Sequence, residues 1–373
     1  MKRVVLLGAT GSIGESARKV ARNLPDRMEI VGMSAHSNAA GLAAAAAEFP
    51  NARTALSSDP DGAKKLIELA TLPNADLVLV AIVGTAGLAP ALAAIEAGKD
   101  IAVASKEILV LAGEIVMEAA RRKGVRVLPI DSEHNAIFQC LEGRAPEHVG
   151  KLILTCSGGP FRRLPAAEFA NVTPEMALKH PTWNMGRKIS IDSATLFNKA
   201  LEMIEARWLF GVGMDRIDVL IHPQSIVHSM VEFVDGSQLA QLSRSDMCFP
   251  IQYAVTYPDR VAGSLAPLDL AALGGLAFEA PREDVFPALR LAREAGSTGG
   301  TLPAVLNAAN EIAVEAFLAG RIRFPKIWEL VADAMADHSP APHPDLGALL
   351  EADRLAREFT RARLARCNSD LNK

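Results

Sequence analysis

Five short apolar runs, separated by stretches of helical spacing, constrain this chain more than any other feature. Val4–Leu7, Ile30–Met33, Leu77–Ile82, Ile101–Ala104 and Val125–Ile130 are dominated by aliphatic residues. Runs of this kind suit strands buried on both faces. Helical patterns lie between them at Glu15–Asn23, Ala39–Phe49, Leu88–Ala97 and Ile108–Lys123. The alternation predicts a doubly wound parallel sheet. Gly8-Ala9-Thr10-Gly11-Ser12-Ile13-Gly14 joins the first run to the first helix. Its glycines are spaced three by three rather than as GxGxxG, but the physical logic is the same. Small residues let backbone N–H groups and a helix N-terminus approach a pyrophosphate. Alone, the turn is equally a plain turn; the strand–helix context favours a dinucleotide.

The loop after the second run, Ser34-Ala35-His36-Ser37-Asn38, has no acid. In a dinucleotide fold it meets the adenine ribose, where an acid would favour NAD. His36, Ser37 and Asn38 suit a 2′-phosphate better, so NADP is expected, although His36 is equally an exposed loop histidine. Ser105-Lys106-Glu107 follows the fourth run, at the strand ends where ligands bind in such sheets. Lys106 could hold an anionic or hydroxylated substrate and Glu107 a cofactor; a Lys–Glu pair opening a helix fits as well.

Composition narrows the class. The 373 residues exceed one ordinary core, so two or three domains are expected. With 50% hydrophobic and 22% charged residues the chain reads as a globular enzyme, not a disordered one. A net charge of −4 without a basic cluster argues against nucleic acid. Cys140, Cys156, Cys248 and Cys367 form no CxxC pair, which argues against a zinc site or a disulfide framework. Met1-Lys2-Arg3-Val4-Val5-Leu6-Leu7 breaks at Gly8 without a cleavage pattern, so it reads as a strand and not a signal peptide. No apolar stretch is long enough to span a membrane, and a cytoplasmic location is expected.

Asp131-Ser132-Glu133-His134-Asn135 ends the fifth run. If the extended backbone continues, Asp131 and Glu133 point the same way. Their mutual repulsion is relieved by a divalent cation, and oxygen ligands suit Mg²⁺ or Mn²⁺. A solvated acidic loop is the plainer alternative. Lys151–Thr155 reads as a strand leading into the turn Cys156-Ser157-Gly158-Gly159-Pro160-Phe161, whose donors could bind phosphate. The segment from His180 to Lys188 sets Trp183 and Met185 between prolyl and glycyl hinges, as in a lid. Core packing of Trp183 is the alternative. The next helix is expected to start at Asp192 or Ser193 as N-cap. On it, Asn198, Lys199 and Glu202 share a face opposite Leu196, Phe197, Ala200, Leu201, Met203 and Ile204. Such a face is ordinarily solvated, yet it could bind metal and phosphate, with Glu202 as a third acid. His222 and His228 read as hydrogen-bonded structural residues. Tyr257 to Ala280 lacks a period and reads as a linker or arm. Leu302–Leu318, Ile327–Ala336 and Leu346–Leu364 give a helical bundle, and Cys367 to Lys373 a frayed tail.

Together these stretches closely resemble the 1-deoxy-D-xylulose 5-phosphate reductoisomerase family. The carriers are GATGSIG at 8–14, SKE at 105–107, DSEHNAIFQ at 131–139, SGGPF at 157–161, HPTWNMGRKISIDSATLFNKALE at 180–202, HPQSIVHSMVEF at 222–233 and NAANEIAVEAF at 307–317. The resemblance implies isomerisation and reduction of 1-deoxy-D-xylulose 5-phosphate to 2-C-methyl-D-erythritol 4-phosphate, in the non-mevalonate isoprenoid pathway. It implies NADPH, with Mg²⁺ or Mn²⁺, and a homodimer. The implied fold is α/β: a Rossmann-type nucleotide domain (1–130), an α+β catalytic domain (131–256), a linker (257–282) and a C-terminal helical bundle domain (283–373). Asp131, Glu133 and Glu202 would bind the metal. Lys106, Ser132 and Glu133 would contact the reacting end of the substrate, and Ser157, Ser193, Asn198 and Lys199 its phosphate, with His180 nearby. Trp183 and Met185 would belong to the closing flap. Thr10, Gly11, Ser12, Ile13, His36, Ser37, Asn38, Ser105, Glu107 and Gly186 would line the NADPH site. The chain departs from the family pattern at His36, Ser105, Cys156 and the stretch Ser245-Asp246-Met247-Cys248. Two other readings are a semialdehyde-dehydrogenase-type enzyme, which needs a nucleophilic cysteine such as Cys156, and a non-catalytic NADPH-binding relative.

Overall fold

The computed structural model describes residues 1–183 and 185–370, with side chains to 366. Asn184, the Cys367 side chain and the end of the expected tail lie outside the described residues. In chain order the strands are β1 (Lys2–Leu7), β2 (Met28–Ala35), β3 (Arg53–Leu56), β4 (Leu77–Val80), β5 (Asp100–Val103), β6 (Val127–Pro129), β7 (Val149–Cys156), β8 (Ile217–Ile221), β9 (Val227–Phe233) and β10 (Gln238–Leu242). The helices are α1 (Ser12–Asn23), α2 (Ala39–Glu48), α3 (Gly62–Ala70), α4 (Leu88–Glu96), α5 (Lys106–Lys123), α6 (Ser132–Leu141), α7 (Pro174–Ala177), α8 (Arg187–Thr195), α9 (Phe197–Phe210), α10 (Cys248–Thr256), α11 (Leu270–Leu273), α12 (Ala288–Thr298), α13 (Leu302–Leu318), α14 (Lys326–Asp337) and α15 (Leu346–Asp370).

They fall into two compact units. The first comprises residues 1–109, 113–142 and 241–269, and the second 110–112, 143–240 and 270–373. In the first, six parallel strands run in the order β3-β2-β1-β4-β5-β6. This is the doubly wound dinucleotide order, whose ligand crevice opens where the order reverses, beside β1 and β4. The expected runs fill the centre: Val4, Leu6, Leu77, Leu79, Ile101 and Val103 have no exposed surface. One core joins β1, β2 and β4 to Ala17, Val20 and Ala21 of α1 and to Ile251, Ala254 and Val255 of α10.

In the second unit a four-stranded sheet runs β10-β9-β7-β8, with β7 parallel to β8 and antiparallel to β9. Helix α9 packs on α12 and α13, and α13 on α14 and α15. Phe324 makes edge contacts with Phe161, Phe169, Phe317 and Trp328, tying the loop after β7 to the C-terminal helices. The boundaries of these units do not coincide with the expected division at 131, 257 and 283. Residues 131–142 and 241–269 pack with the parallel sheet, and residues 283–373 share a unit with the four-stranded sheet.

Two local expectations are corrected. Residues 131–133 are not a continued strand: β6 ends at Pro129, Asp131 is the N-cap of α6, and Ser132 and Glu133 form its first turn. Asp131 and Glu133 are placed by a helix N-terminus, where the backbone dipole favours carboxylates. Nor are Asp192 and Ser193 an N-cap: they lie inside α8, which starts after Gly186. The break falls at Leu196, whose left-handed φ of 64° ends α8 and starts α9.

Candidate functional site

The glycine turn is built for close approach. Gly8 has φ 98°, and a Cβ there would lie 2.5 Å from the Ala81 carbonyl oxygen. A Cβ at Gly14 would lie 2.3 Å from the Gly8 carbonyl oxygen. Only residues without side chains let β1, the turn and α1 pack this tightly. Gly11 is the N-cap of α1, so Ser12 and Ile13 open the helix with their N–H groups at its electropositive end. At the end of β2, His36, Ser37 and Asn38 are exposed. The His36 ring Nδ1 is 2.9 Å from Ser57 Oγ, and Asn38 Oδ1 caps α2 by accepting from the Gly41 N–H at 2.9 Å. Ser105 Oγ lies 2.8 Å from the Gly84 carbonyl oxygen and 3.0 Å from a Glu107 carboxylate oxygen.

The same unit holds the first acids. Lys106, 5% exposed, places Nζ 2.5 Å from Asp131 Oδ2. Ser132 Oγ donates to Glu133 Oε2 at 2.5 Å. Asn135, buried behind them, donates to the carbonyls of Pro129 and Pro250 at 2.9 and 3.2 Å and holds α6 against β6 and α10. Lys106 thus both opens α5 and neutralises Asp131. His134, fully buried, has Nδ1 3.9 Å from Asp131 Oδ1.

The second unit holds the anion-binding candidates. Gly158 and Gly159 have φ of 80° and 68°, which turns the chain sharply after β7. A Cβ at Gly159 would meet the Ser193 carbonyl oxygen at 2.7 Å, so the glycine brings the Ser157 turn against α8 beside Ser193. His180 Nδ1 accepts from the Trp183 and Thr182 N–H groups at 3.0 and 3.3 Å. Its Nε2, 3.0 Å from Ser157 Oγ, therefore carries the proton and donates. Burial pushes the His180 pKa down to about 4, which keeps the ring neutral near pH 7. Trp183 is half-buried, with its ring 6.3 Å from that of His228. Trp183, Met185 and Gly186 lie on the short link from His180 to α8.

The polar face of α9 is not solvated, contrary to what its spacing suggests. Lys199 and Glu202 are 1% and 0% exposed and form an ion pair. Asn198 Nδ2 donates to the other Glu202 oxygen at 2.6 Å. Among the described residues neither unit by itself gathers three Asp, Glu, His or Cys ligand atoms. Two carboxylates, one on each unit, sit against buried lysines, and carboxylate oxygens are the donors a hard divalent cation takes. Sequence reasoning gave no role to His134 and Glu205, both fully buried. The signal was available as i,i+3 spacing from Asp131 and from Glu202. His222 is fully buried, with Nδ1 2.8 Å from the Ala277 carbonyl oxygen and its ring stacked on Phe278, as expected of a structural histidine.

Known proteins match along the whole chain. The family model described as 1-deoxy-D-xylulose 5-phosphate reductoisomerase matches residues 4–61 and 51–113. Its C-terminal domain model matches 127–210, and a DXP reductoisomerase C-terminal domain model matches 242–359. The 1-deoxy-D-xylulose 5-phosphate reductoisomerase of Symbiobacterium thermophilum is 52% identical over 384 residues, covering 96% of this chain and 98% of its own. That of Pseudomonas putida is 48% identical, covering 98% of each. The solved structure of the Zymomonas mobilis protein in complex with NADPH superposes with a TM-score of 0.91 at 44% identity, covering 97% of this chain and 99% of its own. A reductoisomerase in complex with NADPH, fosmidomycin and magnesium gives 0.91 at 40% identity, covering 98% of each.

Proposed function

The chain belongs to the 1-deoxy-D-xylulose 5-phosphate reductoisomerase family, and from that premise we propose which of its residues carry the reaction. The enzyme rearranges 1-deoxy-D-xylulose 5-phosphate and reduces the product to 2-C-methyl-D-erythritol 4-phosphate, with NADPH and a divalent cation. When bound, NADPH supplies the hydride and the cation supplies Lewis-acid polarisation. The observation that carries the assignment is the pair of buried Lys–carboxylate contacts, Lys106–Asp131 and Lys199–Glu202, at the acids that the family motifs mark.

Asp131, Glu133 and Glu202 would hold the Mg²⁺, and Mn²⁺ suits the same oxygen ligands. Lys106 and Lys199 neutralise two of these acids and stand beside them to meet the substrate. Ser132 and Glu133 orient the reacting end of the substrate. Ser157, Ser193, Asn198 and Lys199 bind the phosphate, and His180 holds the Ser157 hydroxyl by donating to it. Trp183 and Met185 cover the substrate and keep water from the reactive intermediates. The glycine turn suits the NADPH pyrophosphate, since a Cβ at Gly8 or Gly14 would collide with backbone and force open the turn that sets the N-terminus of α1. Thr10, Gly11, Ser12, Ile13, Ser105, Glu107 and Gly186 line the remainder, with His36, Ser37 and Asn38 at the 2′-phosphate. In this scheme 1–130 serves the nucleotide, 131–256 the chemistry, 257–282 links, and 283–373 braces the catalytic segment. The place of the reaction is the non-mevalonate isoprenoid pathway, in the cytoplasm. Among the described residues no helix is long and apolar enough to cross a membrane.

The working form is a homodimer. Leu270, Leu273, Leu276 and Phe278 are 59, 38, 38 and 43% exposed along one arm, an apolar row of the kind that partners cover. The test of the activity is NADPH oxidation by the purified protein with 1-deoxy-D-xylulose 5-phosphate, with and without Mg²⁺ or Mn²⁺. Metal-dependent oxidation is expected. Oxidation that ignores the metal, or none with all components present, would overturn the reading.

A further inference from the structure

Helix α13 is an apolar helix with two polar intrusions. Leu306, Ala308, Ala309, Ile312 and Ala313 are buried, and so are Asn307 and Asn310, both with no exposed surface. Asn310 Nδ2 donates to Asp192 Oδ1 of α8 at 2.8 Å. The other Asp192 oxygen takes the Lys188 ammonium at 2.9 Å, one helical turn earlier on α8. Asp192 is 2% exposed. Its two oxygens thus connect a C-terminal helix to the first turn of α8. Asp192 also immediately precedes Ser193, whose backbone carbonyl abuts the Ser157 turn.

Stability does not explain this arrangement well. The Asn310 Oδ1 atom has no hydrogen-bond partner among the described residues. A buried amide with half its capacity unused adds less to a packed helix interface than a fully bonded one. Buried polar groups of that kind are retained where they fix one geometry. The geometry fixed here is the rotation of α8. One face of that helix carries Ser193 toward the anion-binding turn, and its first turn carries Lys188 at the end of the Trp183–Gly186 link.

We propose that Asn310 is a positioning residue for the substrate phosphate: through Asp192 it sets the orientation of α8, and with it Ser193 and Lys188. Asn310 is remote in sequence from every residue expected at the site, and its side-chain bond goes to Asp192. The proposal rests on the phosphate-site reading above and predicts a selective effect. Orientation of α8 governs phosphate affinity, while the glycine cradle on the other unit is untouched.

The experiment compares wild type, Asn310→Leu, Lys188→Gln and Lys188→Arg. Binding of inorganic phosphate is titrated through intrinsic tryptophan fluorescence, which requires no turnover. KM values for 1-deoxy-D-xylulose 5-phosphate and NADPH and the thermal midpoint are measured beside it. The expected result for Asn310→Leu is phosphate affinity and substrate KM worsened about tenfold, NADPH KM within about twofold, and a lowered thermal midpoint, because Asp192 Oδ1 loses its buried donor. Lys188→Gln should show the same selective loss from the solvent-facing end, and it serves alone if Asn310→Leu fails to fold. Lys188→Arg, which keeps the charge, should recover most of the affinity. Unchanged phosphate affinity in both Asn310→Leu and Lys188→Gln, or a parallel fall in NADPH affinity, overturns the proposal. Wild-type protein that binds phosphate selectively through this pair but turns over no 1-deoxy-D-xylulose 5-phosphate would sink the activity assignment and leave the positioning role standing.

Discussion

Glu202→Gln separates the role of a buried acid in stability from its role in the reaction. Glu202 has no exposed surface and pairs with Lys199, itself 1% exposed. Converting the acid to an amide leaves a buried ammonium facing an NH₂ group or a weak carbonyl acceptor. Breaking one side of a buried pair costs about 3–5 kcal/mol. The Asn198 bond offsets about 1 kcal/mol of this, because a glutamine oxygen can still accept from Asn198 Nδ2. The expected loss by urea denaturation is therefore about 2–4 kcal/mol. Adding Lys199→Met removes the stranded charge, and the double variant should regain most of that loss, since uncharged replacement of a buried pair is often neutral. Activity should not follow stability. With Glu202 proposed as one of three metal carboxylates, its loss should remove several kcal/mol of transition-state stabilisation, or about 10²–10³ in kcat at ~1.4 kcal/mol per tenfold. NADPH affinity, followed by fluorescence titration, should stay within about twofold because the cradle shares no partner with Glu202. Turnover within about threefold of wild type, or a double variant that recovers activity along with stability, would refute the assignment of Glu202 to the metal.

Trp183→Ala should lower kcat/KM about tenfold while moving the thermal midpoint by only a few degrees, since the half-buried indole lies on the link from His180 to α8 and not among the fully buried core residues. An equally large loss of stability would favour plain packing. The His180 ring, pushed down to about 4 by burial, binds its proton more weakly in the folded chain than in the unfolded one. Its contribution is thus complete above about pH 6.5 and is lost as pH falls through that window toward 4. Urea midpoints of wild type and His180→Asn should therefore converge on acidification, and parallel curves would exclude the linkage. Gly14→Ala places a Cβ 2.3 Å from the Gly8 carbonyl oxygen, so the turn must open. The NADPH Kd should rise about tenfold or more and stability fall by about 1–3 kcal/mol, whereas unchanged NADPH binding would remove the turn from the cofactor site.

The sheet of the first unit was readable because its central strands are buried on both faces and so appear as unbroken aliphatic runs. Edge strand β3 was not, since Arg53 and Thr54 are exposed and only Ala55 is buried. Strand β8, Ile217 to Ile221, alternates buried and half-buried residues, a pattern that was present but not used. The start of α6 was misplaced although Asp131, an N-cap residue type, stands before Ser132 and Glu133. A strand flowing into an acidic turn and a strand ending at a helix cap share that pattern. The break at Leu196 could not be read at all, because a leucine with φ 64° is held by tertiary packing and not by its own preference. Burial of Lys199 and Glu202 was hidden for the same reason: at i,i+3 they look like a solvated face until α12 and α13 pack on α9. The Asp192–Asn310 bond joins residues 118 apart, and periodicity carries no trace of it.

The central proposal is that Asp131, Glu133 and Glu202 share one ion. A crystal structure of the protein with NADPH and Mg²⁺ tests it most directly. The account predicts one ion with Asp131, Glu133 and Glu202 oxygens at about 2.0–2.1 Å, with Lys106 and Lys199 withdrawn from those acids. An ion held by Asp131 and Glu133 alone, with Glu202 still paired to Lys199, would contradict it.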